Sequence, residues 1–274
     1  MARITEYPQA TRFDSGDVII KDGTNGTKKM TFNDLAVELA GSISPAMHRN
    51  IYRGKNLGSG TTVDDVLTSA QKTAISSGTF DDLFIGDYMT LGGIRYDIAD
   101  MDYWYNIGDT SFTKHHIVMI PHATLYTANM NDTNTTEGAY LGSKMYTDNL
   151  NNAKATIGSA FGNMLLSHRS YLENVVTDEA ATGGAWVDST VDLMSEIMVY
   201  GTKIRSRSVD TVSDKTQLAI FRLSPTALNS RTTYWLRDVV SATHVAYVSY
   251  NGRASANNAS SSSGVRPAFP VGVN

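Results

Sequence analysis

The sequence contains no cysteine. Thiol catalysis, cysteine-ligated zinc, iron–sulfur clusters and any disulfide framework are thereby excluded, and the fold has to hold by packing alone. Charge is scarce too: Asp, Glu, Lys and Arg make up 18% of the chain, and the formal net charge is -4. Without a positive field to gather phosphates, nucleic acid is not an expected partner. No stretch approaches the roughly 20 apolar residues of a membrane span. The opening Met1-Ala2-Arg3-Ile4-Thr5-Glu6 lacks the apolar segment of a signal peptide. The expectation is a soluble chain made in the cytoplasm, with no membrane insertion.

What the sequence does have is length and uncharged polarity. At 274 residues with 41% hydrophobic content it can bury one large core, or a medium one joined to a small module. Ser, Thr, Asn and Gly carry the surface that charged residues leave uncovered, a habit of exposed, loop-rich proteins.

Three segments follow from the pattern. Residues 1–40 read as a small unit: Asp17 to Lys21 is strand-like, Asp22 to Thr27 is a turn cluster, and Lys28 to Thr31 can pair back as a hairpin. Thr31 or Asn33 then caps a short helix carrying Leu35, Val37 and Leu39, closed by Gly41. Residues 41–79 read as a neck, a polar connector with Pro45 followed by a helix over Thr62 to Ser76. Residues 80–274 form the main domain. Phe84 to Ile98 gives two apolar runs about Gly92-Gly93, a hairpin signal. His116 to Pro121 is a strand, and Tyr140 to Phe161 has helical spacing. Ser189 caps a helix over Val191 to Tyr200 that Gly201 ends. Leu218 to Phe221, Tyr234 to Arg237 and Val245 to Tyr250 read as strands. Strands at both ends with helices between imply an α+β domain whose termini meet.

Few residues suggest chemistry. His115-His116 are strand neighbours that point to opposite faces, so one is expected buried and one exposed, with no shared metal. Asn129 to Glu137 alternates oxygen donors but lacks the glycine and regular acids of a calcium loop, and reads as a polar surface loop. Ser167-His168-Arg169 has no nucleophile elbow around it, so no triad is assembled. Gly92-Gly93 lacks a phosphate-loop pattern and stays a turn. Trp104, Trp186 and Trp235 are expected as core or domain-edge aromatics. No catalytic residue, metal or cofactor is assigned, and the chain is not expected to be an enzyme.

The last forty residues carry a resemblance. Tyr234-Trp235-Leu236-Arg237 opens them and Gly264-Val265-Arg266-Pro267-Ala268-Phe269 closes them, with small, polar and aromatic residues between. Gly86-Asp87-Tyr88, Asp192 to Ile197 and Gln217 to Phe221 add further matches. This pattern resembles C-type-lectin-like domains of the formylglycine-generating-enzyme type, in a bacterial and phage group with a WLR segment, a variable polar stretch and a GVRP ending. The resemblance covers roughly residues 80–270 and implies antiparallel strands plus two helices. The enzymes of that type rely on copper-bound cysteines, which this chain lacks. Ile4 to Pro8, Asp17-Val18, Gly26 to Lys29 and Leu35 are similar to the opening of phage tail and head-fibre proteins, which implies a virion-anchoring module. His48 to Gly58 looks like a link in such proteins. Asp238 to Ser263 contains no Lys, Glu, Gln, Met or Trp. Those are the residues that NNC codons cannot encode, so the segment also resembles the variable proteins of diversity-generating retroelements.

The resemblances together imply a bacteriophage virion adhesin, located on the virion. Its C-terminal domain binds a host-surface receptor, protein or glycan, while the N-terminal module contacts other virion proteins, expected as a homotrimer. The alternative is a structural virion component, such as a head fibre, decoration or collar protein. The expected ligand-binding residues are Asp238, Ser241, Thr243, His244, Tyr247, Tyr250, Asn251, Arg253, Asn257 and Asn258, because Tyr and His pair apolar faces with polar tips while Asn and Ser adapt their hydrogen bonds. Trp235, Arg237 and Arg266 are expected to be structural, with the guanidiniums bridging strands.

Overall fold

The computed structural model describes residues 18–21, 28–31, 45–207, 213–214 and 216–274. Strands β1 (Val18–Lys21) and β2 (Lys28–Thr31) pair antiparallel, with Val18 opposite Thr31, as the hairpin pattern predicts. The expected helix around Leu35 lies outside the described residues.

The body is α+β with sheet predominating. A six-stranded sheet runs in the order β10-β15-β6-β5-β4-β3. Its members are β3 (Asn56–Gly60), β4 (Tyr88–Leu91), β5 (Ile94–Met101), β6 (Ile117–Pro121), β10 (Asp192–Leu193) and β15 (Pro267–Val271). Every residue of β6 is buried, which a continuous apolar run at a sheet centre requires. Gly92 and Gly93, at φ 56° and 83°, supply the two left-handed positions of the β4–β5 turn. The C-terminal β15 pairs with β6, so the end of the chain joins the sheet that starts the domain.

A five-stranded sheet runs β13-β12-β11-β14-β7. It consists of β7 (Tyr126–Asn129), β11 (Tyr234–Val239), β12 (His244–Val248), β13 (Ala254–Asn258) and β14 (Ser262–Val265). A separate ribbon pairs β8 (His168–Thr177) with β9 (Ala180–Ser189). One core cluster runs through all of this, from Val63 to Val271.

Five expectations need correction. The neck is not a free connector over its described length: β3 pairs in parallel with β4, and Val63, Leu67 and Ile75 enter the core. Arg49 and Arg53 fasten the preceding segment by charge-assisted pairs to the buried carboxylates of Asp100 and Asp87. The helix expected over 62–76 is broken, because Thr68 and Gln71 form a capping box that starts a new helix, α2 (Ser69–Ser77), after the short α1 (Pro45–His48). The helix expected over 140–161 narrows to α3 (Asn151–Phe161) behind a π turn at Met145–Asn149. The helix expected from Ser189 starts instead at Ser195, whose hydroxyl accepts from Met198 N, giving α4 (Glu196–Tyr200) ended by Gly201 at φ 80°. Asp192-Leu193 upstream pairs with β15 instead, with both residues buried. Leu218 to Phe221 is not a strand: Ala219–Leu223 is helix α5, because Asp100 on β5 accepts the Ala219 N–H at 3.0 Å. That cap comes from a distant strand and leaves no local signal.

Candidate ligand-binding surface

The scaffold of the C-terminal sheet is β11, whose six residues are all buried. Trp235 donates its indole N–H to Ala128 O at 2.8 Å across β14, and its ring lies edge-on to Tyr247 at 6.1 Å. Arg266 is 1% exposed, donates to Pro121 O and Ala227 O, and sits 5.1 Å over the Tyr234 ring. It ties the larger sheet to the loop before β11. Arg237 is buried against Asp214. Burial opposes its charge, but Asp214 and Asp192 outweigh that and hold it ionised. All three residues therefore have structural placements.

Asp238 departs from expectation. It was expected on the surface, but it is 2% exposed and its carboxylate accepts the Glu196 N–H at 2.7 Å. Burial, reinforced by Glu173 and Glu196, pushes it well above the usual carboxylate range, with Arg237 and that N–H pulling back. All six residues of β11 are buried, so neither face of the strand exposes it. Glu196 is itself buried and accepts from Ile204 N, Arg205 N, Ser206 N and Ser206 Oγ, fixing the chain after α4.

The other nine expected residues are half-buried or exposed, and they fall into three places. Ser241, Thr243 and His244 form the β11–β12 turn, where both hydroxyls reach His244 Nδ1 at 3.1 and 2.9 Å. Asn257 and Asn258 lie beside them, since His244 pairs with Asn258 and Val245 with Asn257. Tyr247 sits midway, on the same face as Trp235 and Ser255. Tyr250, Asn251 and Arg253 occupy the β12–β13 turn at the far end. Four residue steps of strand separate His244 from Val248, about 13 Å. The ten residues thus do not converge on one point. Tyr250 is the most exposed large apolar side chain there, at 65%.

The turn end extends beyond the C-terminal segment. Thr136 N donates to Ala242 O and Thr136 Oγ1 to Ser241 O, at 3.0 and 2.7 Å. Met130 N and Asn131 N both donate to Ala259 O. The 129–137 loop, read from sequence only as a polar surface loop, is therefore fastened to the candidate surface. Its exposed Asp132, Thr133 and Asn134 border the β11–β12 and β13–β14 turns. No sequence signal could join segments a hundred residues apart.

β13 is an edge strand, open to lateral pairing in principle. Arg205 Nε donates to Ala254 O at 3.4 Å, and Asn258 N donates to Asn257 Oδ1 at 2.9 Å, so backbone groups at both ends of that edge are occupied. What the surface offers is side chains.

The histidine pair does not sit on opposite faces of a strand as expected: both residues precede β6, and their Nδ1 atoms stand 2.7 and 3.7 Å from the Asp102 carboxylate. His116 is fully buried, while His115 is 27% exposed, stacks on Tyr105 and bonds Asp102 at 2.7 Å. Among the described residues, no group of three His, Cys, Asp or Glu side chains stands close enough to hold a metal ion. No helix among them is long and apolar enough to cross a membrane.

Residues 179–272 match a family model described as a domain of unknown function (DUF6273). The match runs from the turn of the ribbon through β15. No curated protein and no solved structure matches the chain.

Proposed function

We propose that this chain is a bacteriophage virion adhesin whose C-terminal domain is C-type-lectin-like and binds a host-surface ligand through the β11–β13 sheet and the turns at its ends. The observation that carries the reading is the division within that sheet: β11 is wholly buried, while in β12, β13 and their turns Ser241, Thr243, His244, Tyr247, Asn257 and Asn258 are partly exposed and Tyr250, Asn251 and Arg253 are exposed. Side chains on such a surface can vary while the core beneath stays intact. That arrangement suits the retroelement resemblance of residues 238–263, with Asp238 as a scaffold residue. The strand pattern at both ends of the domain implies that its termini meet, and the pairing of β15 with β6 agrees with that. The N-terminal module serves as the virion anchor and trimer contact.

The test is retention of the full chain on intact host cells. An adhesin sediments with the cells and is competed by unlabelled chain. A chain that stays in the supernatant is instead a head fibre, decoration or collar component, whose surface contacts another virion protein.

A further inference from the structure

A second polar site lies away from the C-terminal sheet, where Ser167-His168-Arg169 enters the ribbon. An open hollow of about 380 Å³ is lined by Thr110, Ser111, Phe112, Ser167, His168, Arg169 and Asp188. That volume falls within the range of small-molecule sites. The loop from Asn106 to Phe112 forms one wall, closed on itself by Asn106 N to Phe112 O and Phe112 N to Ile107 O at 2.8 and 3.0 Å. Gly108, at φ 122°, lets this loop lie against the Arg169 stem: a Cβ there would stand 2.7 Å from Arg169 Cβ.

The donors and acceptors of the hollow are unequal. Arg169 directs Nε and Nη2 to both oxygens of Asp109, at 2.8 and 2.9 Å, and Nη1 to Asp188 Oδ1 at 3.2 Å. Its guanidinium is thereby committed to protein carboxylates, in the bidentate geometry that arginine favours. Arg169 is 22% exposed and Asp188 75%, so the charge presented to solvent is the carboxylate. The two carboxylates and one guanidinium leave a single negative charge. Ser167, Thr110 and Ser111 add hydroxyl oxygens on the rim, all exposed. Phe112 and His168 are buried rings in the lining. His168 cannot supply a balancing cation, because burial holds its pKa well below the ordinary imidazole range.

We infer that this hollow binds a primary ammonium carried on a short apolar stem, such as an alkylamine or the side chain of an accessible lysine. The ammonium donates to Asp188 and the rim hydroxyls, and the stem covers the Phe112 ring. Its three donors match an acceptor-rich rim, and it neutralises the residual charge. A neutral polyol could bond the same hydroxyls but would leave that charge uncompensated.

The experiment titrates the full chain with n-butylammonium chloride, n-butanol and glucose, at constant ionic strength. The readout is the backbone amide resonances of Thr110, Ser111 and Arg169. The inference expects saturable shifts with butylammonium in the millimolar range and little response to butanol or glucose. Asp188→Asn should weaken the amine by up to about fivefold, the scale of one exposed charge pair, while amide shifts elsewhere stay in place. Ser167→Val, which narrows the hollow without changing its charge, should also weaken it. Equal shifts with butanol would make the site merely apolar. Saturation by glucose in place of the amine would make it a polyol site. Either result, or no saturable shift with any probe, overturns the inference.

Discussion

Acidification should unfold this protein partly through one buried histidine. His116 donates Nδ1–H to Lys114 O at 2.9 Å and accepts the Trp104 N–H on Nε2 at 3.2 Å, an arrangement that fixes the neutral tautomer. Its ring is enclosed by Trp104 and Phe112. Burial pulls its pKa down from 6.5 to about 4, against weaker opposing pulls from the Lys114 carbonyl and Asp102. A base whose folded value is depressed takes up its proton in the unfolded chain first. Stability from this group is therefore full above pH 6.5 and is lost as the pH falls toward 4. At about 1.36 kcal/mol per pH unit, that window costs roughly 3 kcal/mol. His168 acts in the same direction, whereas buried Asp192 and Asp238, whose values are raised, act in the opposite one. The comparison must therefore be differential. Urea unfolding of the wild type and His116→Gln, at fixed protein concentration from pH 7.5 to pH 4, isolates this group. The variant should be less stable at pH 7.5, and its deficit should shrink by roughly 3 kcal/mol at pH 4. A deficit that stays constant across the range would mean that His116 titrates as an ordinary imidazole and is not sealed.

Other outcomes follow from the same packing. Trp235→Ala removes a fully buried indole and its bond to Ala128 O, so it should cost about 3 to 5 kcal/mol in denaturant unfolding. Tyr250→Ala, at an exposed turn, should cost under roughly 0.5 kcal/mol. Tyr247→Ala should cost about 0.5 to 1.5 kcal/mol more than Tyr250→Ala, since its ring pairs edge-on with Trp235. Light scattering on the full chain should give three times the monomer mass, as a small N-terminal module needs self-association to be stable; a monomer at tens of micromolar contradicts that assembly.

Some local signals in the sequence were legible. The Gly92-Gly93 hairpin and the Gly201 helix end both follow from neighbouring residues. Features set by distant partners were not. Asp100 turns Ala219–Leu223 into a helix, and the burial of β11 on both faces encloses Asp238. The ribbon was missed because its turn uses Asp178 and Glu179 at φ 50° and 64°, positions where glycine or asparagine is the usual sign. Nine of the ten candidate residues are at least partly exposed because the polar stretch after Trp235-Leu236-Arg237 does form the edge of a sheet. Their division between two ends of a hairpin depends on register, which composition does not encode.

The central claim is that the C-terminal sheet is the ligand surface, and binding of purified chain to intact host cells, measured per folded molecule, tests it most directly. Asn257→Ala and Tyr250→Ala should each lower cell affinity while leaving the unfolding midpoint nearly unchanged, and Val175→Ala on the exposed side of the ribbon should leave affinity unaltered. If Asn257→Ala and Tyr250→Ala bind as the wild type does while Val175→Ala loses affinity, the surface assigned here is not the one that meets the host.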